Sequence, residues 1–219
     1  MNLSLNEKLK HIGFRIDSKG TKNRRRKTLQ SIDIEETLIE ASRTVSKDSK
    51  LFSLLCSWVK VHGDYVHISK LLKKVSKLGK NDPARIWIRA LCVFAQTQGL
   101  HKWSPGIKKR PQPTYLYNEK VSKSAIQLKG AVPEFKKYDF IIPKESIRIR
   151  EDDALTSKEL SSQNLQYKNR LLFGASWRAD IVTAIQQGAT NPHSISKIIG
   201  CSYEPAHRVY NEYKIASGL

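Results

Sequence analysis

Long apolar runs are missing from this 219-residue chain. The longest candidate, Leu51 to Val61, is far shorter than the about 18 residues a membrane-spanning helix needs, and Met1 to Leu9 are too polar for a secretory leader. A cytoplasmic protein is therefore expected rather than a membrane-spanning or secreted one. Cysteine is scarce: Cys56, Cys92 and Cys201 are odd in number, far apart and without paired-ligand spacing, which fits reduced thiols and argues against a disulfide framework or a zinc site. Several enzyme signatures are missing too, among them a glycine-rich phosphate loop, a Gly-x-Ser-x-Gly elbow and a His-Glu-x-x-His pair. No catalytic residue, cofactor or metal is expected. Acidic side chains are also in short supply, 20 against 39 Lys and Arg, for a net charge of +19. With 39% apolar residues the chain still has enough material for a packed core, in one large or two small domains.

The positive excess is unevenly placed. Residues 1–50 carry 12 basic and 7 acidic side chains, 51–100 carry 8 and 2, 101–150 carry 12 and 4, and 151–219 carry 7 and 7. All of the excess thus precedes residue 151. Its densest run, Lys22, Arg24, Arg25, Arg26 and Lys27, lies in a polar stretch without apolar period and reads as part of a flexible basic arm over 1–30, suited to non-specific phosphate attraction.

Helical periodicity dominates the rest. Ile34, Leu38, Ala41 and Val45 recur at steps of three or four and predict a helix from Asp33. A second runs from Leu51 to Val61 and stops at His62-Gly63. Ile68, Leu71, Leu72, Val75 and Leu78 then repeat with Lys70, Lys73, Lys74 and Lys77 opposite, predicting a short basic amphipathic helix. Asp82-Pro83 starts a fourth helix, whose buried stripe is Ala84, Trp87, Ile88, Leu91, Phe94 and Ala95, with Arg85 and Arg89 on its open face. Prolines at 105, 111, 113, 133 and 143 predict a linker or β-rich middle, with strands at Thr114–Tyr117 and Phe140–Ile149. A capping-box pattern at Thr156 and Glu159 opens a connecting helix to about Leu172.

The fold class that follows is mainly α with a small β component: two helix-turn-helix or winged-helix-like modules joined by a Pro-rich, β-containing middle and the connecting helix. The boundaries read as an arm over 1–30, an N-terminal winged-helix-like domain over 31–117, a β-rich linker over 118–155 and a C-terminal helix-turn-helix domain over 156–219. In the C-terminal module a helix from Trp177 to Gln187 is followed by a short one begun by Asn191-Pro192, the turn Gly200-Cys201-Ser202, and a helix with Ala206, Val209, Tyr210 and Tyr213 inward. Tyr203, His207, Arg208 and Asn211 then face outward as base readers, with Arg208 suited to guanine and Asn211 to adenine. In the N-terminal module, pairing of Leu100–Trp103 with Thr114–Tyr117 would make a wing carrying Lys108, Lys109 and Arg110. Arg85, Arg89, Lys70 and Lys74 would join these on the DNA backbone. Trp58, Trp87 and Trp103 read as core. The group His62-Gly63-Asp64-Tyr65-Val66-His67 places two imidazoles beside a carboxylate, but a turn uses Gly and Asp for backbone reasons, so capping and packing roles are expected. Glu35-Glu36 and Asp152-Asp153 read as first-turn helix charges.

The run Asn164 to Gly174, followed by Trp177 to Val182, Ser194 to Ile199, Gly200-Cys201-Ser202-Tyr203 and Val209, resembles the helix-turn-helix segment of bacterial regulators. The group meant is the one that pairs with nucleotidyltransferase-like toxins in abortive-infection modules, together with the related ArsR-like regulators. The resemblance covers about 55 residues, with a fainter echo at Leu51 to Val75. It implies a cytosolic, homodimeric transcriptional regulator of double-stranded DNA, and an antitoxin that controls its own operon and binds a toxin. A winged helix would continue with a β-hairpin where this chain has Ser217-Gly218-Leu219, so the motif is expected to lack a wing or to borrow an earlier strand. The neutral charge of 151–219 leaves a second reading, an antitoxin or scaffold acting through protein contact with incidental nucleic-acid binding.

Overall fold

A computed structural model describes residues 3–16, 32–109 and 112–218, so the run Lys22 to Lys27 and Arg110 lie outside the described residues. The chain is mainly helical with one small β element. The expected flexible arm over 1–30 fails over its described residues: α1 (Leu5–His11) opens on a capping box between Ser4 and Glu7, and Leu9, Ile12 and Phe14 are buried in the core. Helix α1 is followed by α2 (Ile34–Thr44), α3 (Lys50–His62), α4 (Ile68–Ser76) and α5 (Pro83–Thr97). These four match the sequence reading closely, because each has a clear apolar stripe and α2 and α5 have carboxylate caps, Asp33 accepting from the Glu36 amide and Asp82 from the Ala84 amide.

The winged-helix expectation fails at two points. Helix α5 is buried on most of its circumference, through Ala84, Trp87, Ile88, Ala90, Leu91, Cys92, Val93, Phe94 and Ala95, so it is the central helix of the domain and has no face to lay in a DNA groove. The expected hairpin is also absent among the described residues. His101–Gly106 forms a 3-10 helix, in which Trp103 is fully buried and its indole donates to the Gly63 carbonyl at 3.1 Å. Gly106 packs so close to Cys92 that an added Cβ would sit 2.3 Å from the thiol sulfur. Burial of one tryptophan thus decides the backbone there over the β pattern. Strand β1 (Thr114–Tyr115) pairs instead in parallel with β2 (Phe140–Ile141), Thr114 opposite Phe140.

Between the strands the expected β-rich linker is helical: α6 (Glu119–Lys129) and α7 (Pro133–Lys136). No proline falls between 113 and 133, and Asn118 caps α6 by accepting from the Val121 amide, which suffices for an exposed three-turn helix. The connecting helix is two pieces, α8 (Ser157–Ser161) and α9 (Leu165–Phe173). The break lies at Asn164, whose side chain accepts from the Tyr167 amide and donates to the carbonyls of His11 and Ile32, tying the chain to its N-terminal segment. The last three helices are α10 (Trp177–Gln186), α11 (Pro192–Ile199) and α12 (Tyr203–Ser217).

One apolar core runs from Leu9 to Tyr167, and a second, smaller one joins Ile181, Ile195, Ile199, Ala206 and Val209 in α10–α12. The first does not divide at residue 117 or 155, since Leu116, Phe135, Phe140, Ala154, Leu160 and Tyr167 all belong to it. At its centre Trp58 is fully buried, stacked on Phe14 with ring centroids 5.7 Å apart, and donates its indole N–H to the Ile12 carbonyl at 2.7 Å.

His62 closes the far end of this core. Its Nε2 faces the Leu155 carbonyl at 2.8 Å and its Nδ1 the Tyr167 hydroxyl at 2.8 Å. A carbonyl only accepts, so Nε2 carries the proton and Nδ1 accepts from the tyrosine. Burial pushes the imidazole down from 6.5 to about 4, against the hydrogen bond to Leu155 that raises it. The unfolded chain therefore binds more protons between those values, and stability must fall as pH drops through that window. The fall should reach at most about 3 kcal/mol and level off once both states are protonated. His62→Gln is expected to be less stable at neutral pH and to lack this fall. Urea denaturation across the window checks it, and an equal pH slope in the variant would refute the assignment.

Candidate nucleic-acid interface

The α10–α12 unit has the local chemistry of a helix-turn-helix. Asn191 caps α11 by accepting from the Ser194 amide at 2.8 Å, with Pro192 in the first turn. Gly200 ends α11 in the left-handed region (φ 79°, ψ 24°), a conformation that β-carbon sterics make costly for other residues. Three residues, Gly200 to Ser202, separate the two helices. Ser202 occupies the N-cap of α12, and its hydroxyl makes no capping bond. Ala206 and Val209 are buried, Tyr210 and Tyr213 pack beside them, and the Tyr210 hydroxyl donates to the Thr190 carbonyl at 2.5 Å.

This packing turns the four anticipated readers outward together. Tyr203, His207 and Asn211 form one exposed stripe at steps of four, and Arg208 lies beside it. The Tyr203 and His207 rings stack at 5.6 Å, and Asn211 Nδ2 lies 3.1 Å from His207 Nε2.

A buried charge cluster fixes where this unit stands on the rest of the chain. Arg170 of α9, fully buried, donates from both terminal nitrogens to Glu35 of α2 at 2.6 and 2.8 Å, to Asp180 of α10 at 2.8 Å and to the Tyr65 carbonyl at 3.0 Å. Asp180 also accepts from Gln166 at 2.9 Å and meets His67 Nδ1 at 3.1 Å. Glu35 accepts the His67 amide at 3.0 Å, and Lys70 of α4 stands 3.0 Å from Asp33 and 3.4 Å from both Glu35 and Asp180. Burial alone would raise the Asp180 carboxyl, but the Arg170 guanidinium, the His67 hydrogen bond and Lys70 hold it well below the usual range. Lys70 is pushed down by burial and more than recovered by Glu35, Asp180 and Asp33.

Several of the anticipated backbone contacts are spent inside the protein. Lys70 belongs to the cluster, buried at the junction of α4 with α2 and α10 beside Asp33, Glu35 and Asp180. Lys74 pairs with Glu36 at 2.7 Å and lies 3.6 Å from Asp33. Arg85 donates to the Leu78 carbonyl at 2.8 Å and braces the end of α4. Arg89 is half-buried on α5 beside Cys92. Lys108 and Lys109 are exposed past the 3-10 helix. His62 and His67 diverge, one into the core and one to Asp180, and among the described residues no group of three His, Cys, Asp or Glu is placed to hold a metal. Glu35 lies in the first turn of α2 as read, and it is fully buried.

Three residues beside the interface had escaped assignment from sequence: Lys73, Lys77 and Lys197. Lys73 and Lys77 were signalled only by the basic face of α4, and Lys197 only as the single lysine of α11. Only folding brings α4 against the end of α11, where the Lys73 ammonium donates to the Gly200 carbonyl at 2.7 Å. The cluster had a fainter signal, charged residues adjacent to apolar stripe positions, as Glu35 is to Ile34 and Arg170 is to Tyr167 one turn earlier.

No family model, curated protein or solved structure matches the chain. Functional reading therefore rests on the site. Among the described residues no helix is long and apolar enough to cross a membrane.

Removing one member of the cluster leaves the others as uncompensated buried charge. Arg170→Met is expected to cost about 3–5 kcal/mol. Arg178→Met, which breaks a half-exposed pair with Glu212 at 2.6 Å, should cost under about 1 kcal/mol. Chemical denaturation of both variants checks the contrast, and equal losses would mean that the buried cluster carries no special share of stability.

Proposed function

We propose that the chain is a sequence-specific regulator of double-stranded DNA that reads bases with α12. The observation carrying this reading is the stripe of Tyr203, His207, Arg208 and Asn211, set on the helix after a left-handed glycine turn with the lysines of α4 beside that turn. A recognition helix presents its early residues to base edges in the major groove, with arginine bidentate to guanine and asparagine to adenine. The neutral charge of 151–219 is no obstacle to affinity once Lys73 and Lys77 adjoin the turn, because phosphate attraction depends on local rather than segmental charge. A two-fold dimer reading half-sites one helical turn apart is the assembly such readers use.

A second reading, an antitoxin that works by gripping a protein, is favoured by one observation. Leu171, Leu172 and Phe173 are exposed in succession at the end of α9, Leu172 by 67%. The autoregulating antitoxin joins both readings, with α12 on the operator and this patch on the toxin.

Selection of bound duplexes from a random pool decides the first reading. An enriched motif is expected, and Arg208→Ala should cost about 1–3 kcal/mol and relax one base position, whereas Lys109→Gln should weaken all sequences alike. No enriched motif, together with insensitivity to Arg208→Ala, sinks the specific reader.

A further inference from the structure

A cleft of about 320 Å³ lies between α4 and the end of α11. Its apolar wall includes Ile39, Leu78, Trp177 and Ile199, and its rim is basic. Lys70 and Lys74 in that lining are committed to carboxylates. Lys73, Lys77 and Lys197 are exposed, and among the described residues none of the three has a carboxylate partner. Lys73 gives one hydrogen bond to the Gly200 carbonyl and sits 6.0 Å from the Trp177 ring centre, which leaves two ammonium hydrogens for another acceptor. Among the described residues the one carboxylate in the lining, Glu36, is taken by Lys74.

Lysines in the last turns of α4 and α11 would each be favoured by the helix dipole. That accounts for them singly. It does not account for two such ends meeting in one concavity, where three ammonium groups without carboxylate partners among the described residues line a cleft beside an apolar wall. An anion seated between them would meet all three charges at once.

We infer that this cleft is a phosphate seat. Ammonium groups on flexible stems serve phosphate as point charges and need no fixed fork geometry. The phosphate has two possible sources, a DNA strand or a free polyphosphate. Placement favours the strand, because Gly200 lies in the turn that leads into α12, so a backbone bordering the groove read by Tyr203 and His207 passes the cleft mouth. This attribution to a strand rests on the proposed DNA-binding reading, whereas the seat itself does not.

The test uses the full chain and the double variant Lys77→Gln/Lys197→Gln, two exposed side chains that hold nothing in the fold. Lys136→Gln, an exposed lysine of α7, is the control. Duplex binding is titrated between about 50 and 200 mM salt with the enriched site and with an unrelated duplex, and tripolyphosphate binding is followed by calorimetry. The expected result is a shallower salt dependence for both duplexes in the double variant. The slope should fall by about 0.9 for each phosphate that the variant no longer neutralises, which shrinks the affinity drop over that salt range about threefold per phosphate. Tripolyphosphate binding that disappears in the double variant while duplex slopes stay unchanged keeps the seat and assigns it to a free anion. A double variant indistinguishable from Lys136→Gln with both probes, or a wild-type chain that binds neither, overturns the inference. A chain that binds duplexes without sequence preference, yet shows the shallower slope in the double variant, keeps the seat and removes the α12 reader.

Discussion

Arg170 holds the two halves of this protein together. Its guanidinium bonds α2 through Glu35 and α10 through Asp180 at 2.6–2.8 Å, closer than Lys70 of α4 comes to either, and it does so from α9, the helix between the two apolar cores. A guanidinium is planar and keeps its charge even when buried, so its five donors can be divided between two carboxylates and the Tyr65 carbonyl in one fixed geometry. An apolar contact of the same size would permit sliding and rotation. The charge cluster is a weak contributor to net stability by comparison with hydrophobic replacement, but it is demanding about direction. Direction matters here, since the orientation of α10 sets where α12 points relative to α4.

This arrangement also resolves the puzzle posed by the charge count. The positive excess lies wholly before residue 151, while the helix best suited to reading bases lies in a neutral segment. Sequence distance made these look like two modules with separate tasks. In space, Lys73 bonds the Gly200 carbonyl and Lys77 lines the same cleft as Lys197, so the basic helix α4 adjoins the turn that leads into α12. Helix α5 of the N-terminal domain, whose Arg85 and Arg89 read as DNA-backbone contacts, forms the domain's buried axis.

Local patterns in the sequence were reliable wherever the causes were local. The stripe of Ile34, Leu38, Ala41 and Val45, the Asp82-Pro83 start of α5 and the Asn191-Pro192 start of α11 act within a turn or two, and each produced the helix it predicts. The left-handed Gly200 and the outward stripe of α12 belong to the same class. Some errors arose where a distant partner outweighed the local preference, whereas α1 inside the expected arm and α6 inside the expected β-rich linker rest on local caps. Burial of Trp103 against Gly63 made a 3-10 helix of a segment that reads as a strand, and the hydrogen bonds of Asn164 to His11 and Ile32 broke a helix that reads as continuous. Lys70 shows the same effect in a side chain, a lysine on a basic face drawn into a junction by three carboxylates.

By itself the sequence determined that the chain is mainly helical, where most of its helices begin and end, and which residues of α12 face away from their own bundle. Helical period, caps and glycine turns are set by residues a few positions apart, and those are visible in one dimension. Tertiary structure alone decided which of the many cations are spent and which remain exposed. That depends on which carboxylate or carbonyl lies within about 3 Å, as hydrogen bonding requires. For Arg170 and Glu35 the separation is 135 residues, and for Lys73 and Gly200 it is 127.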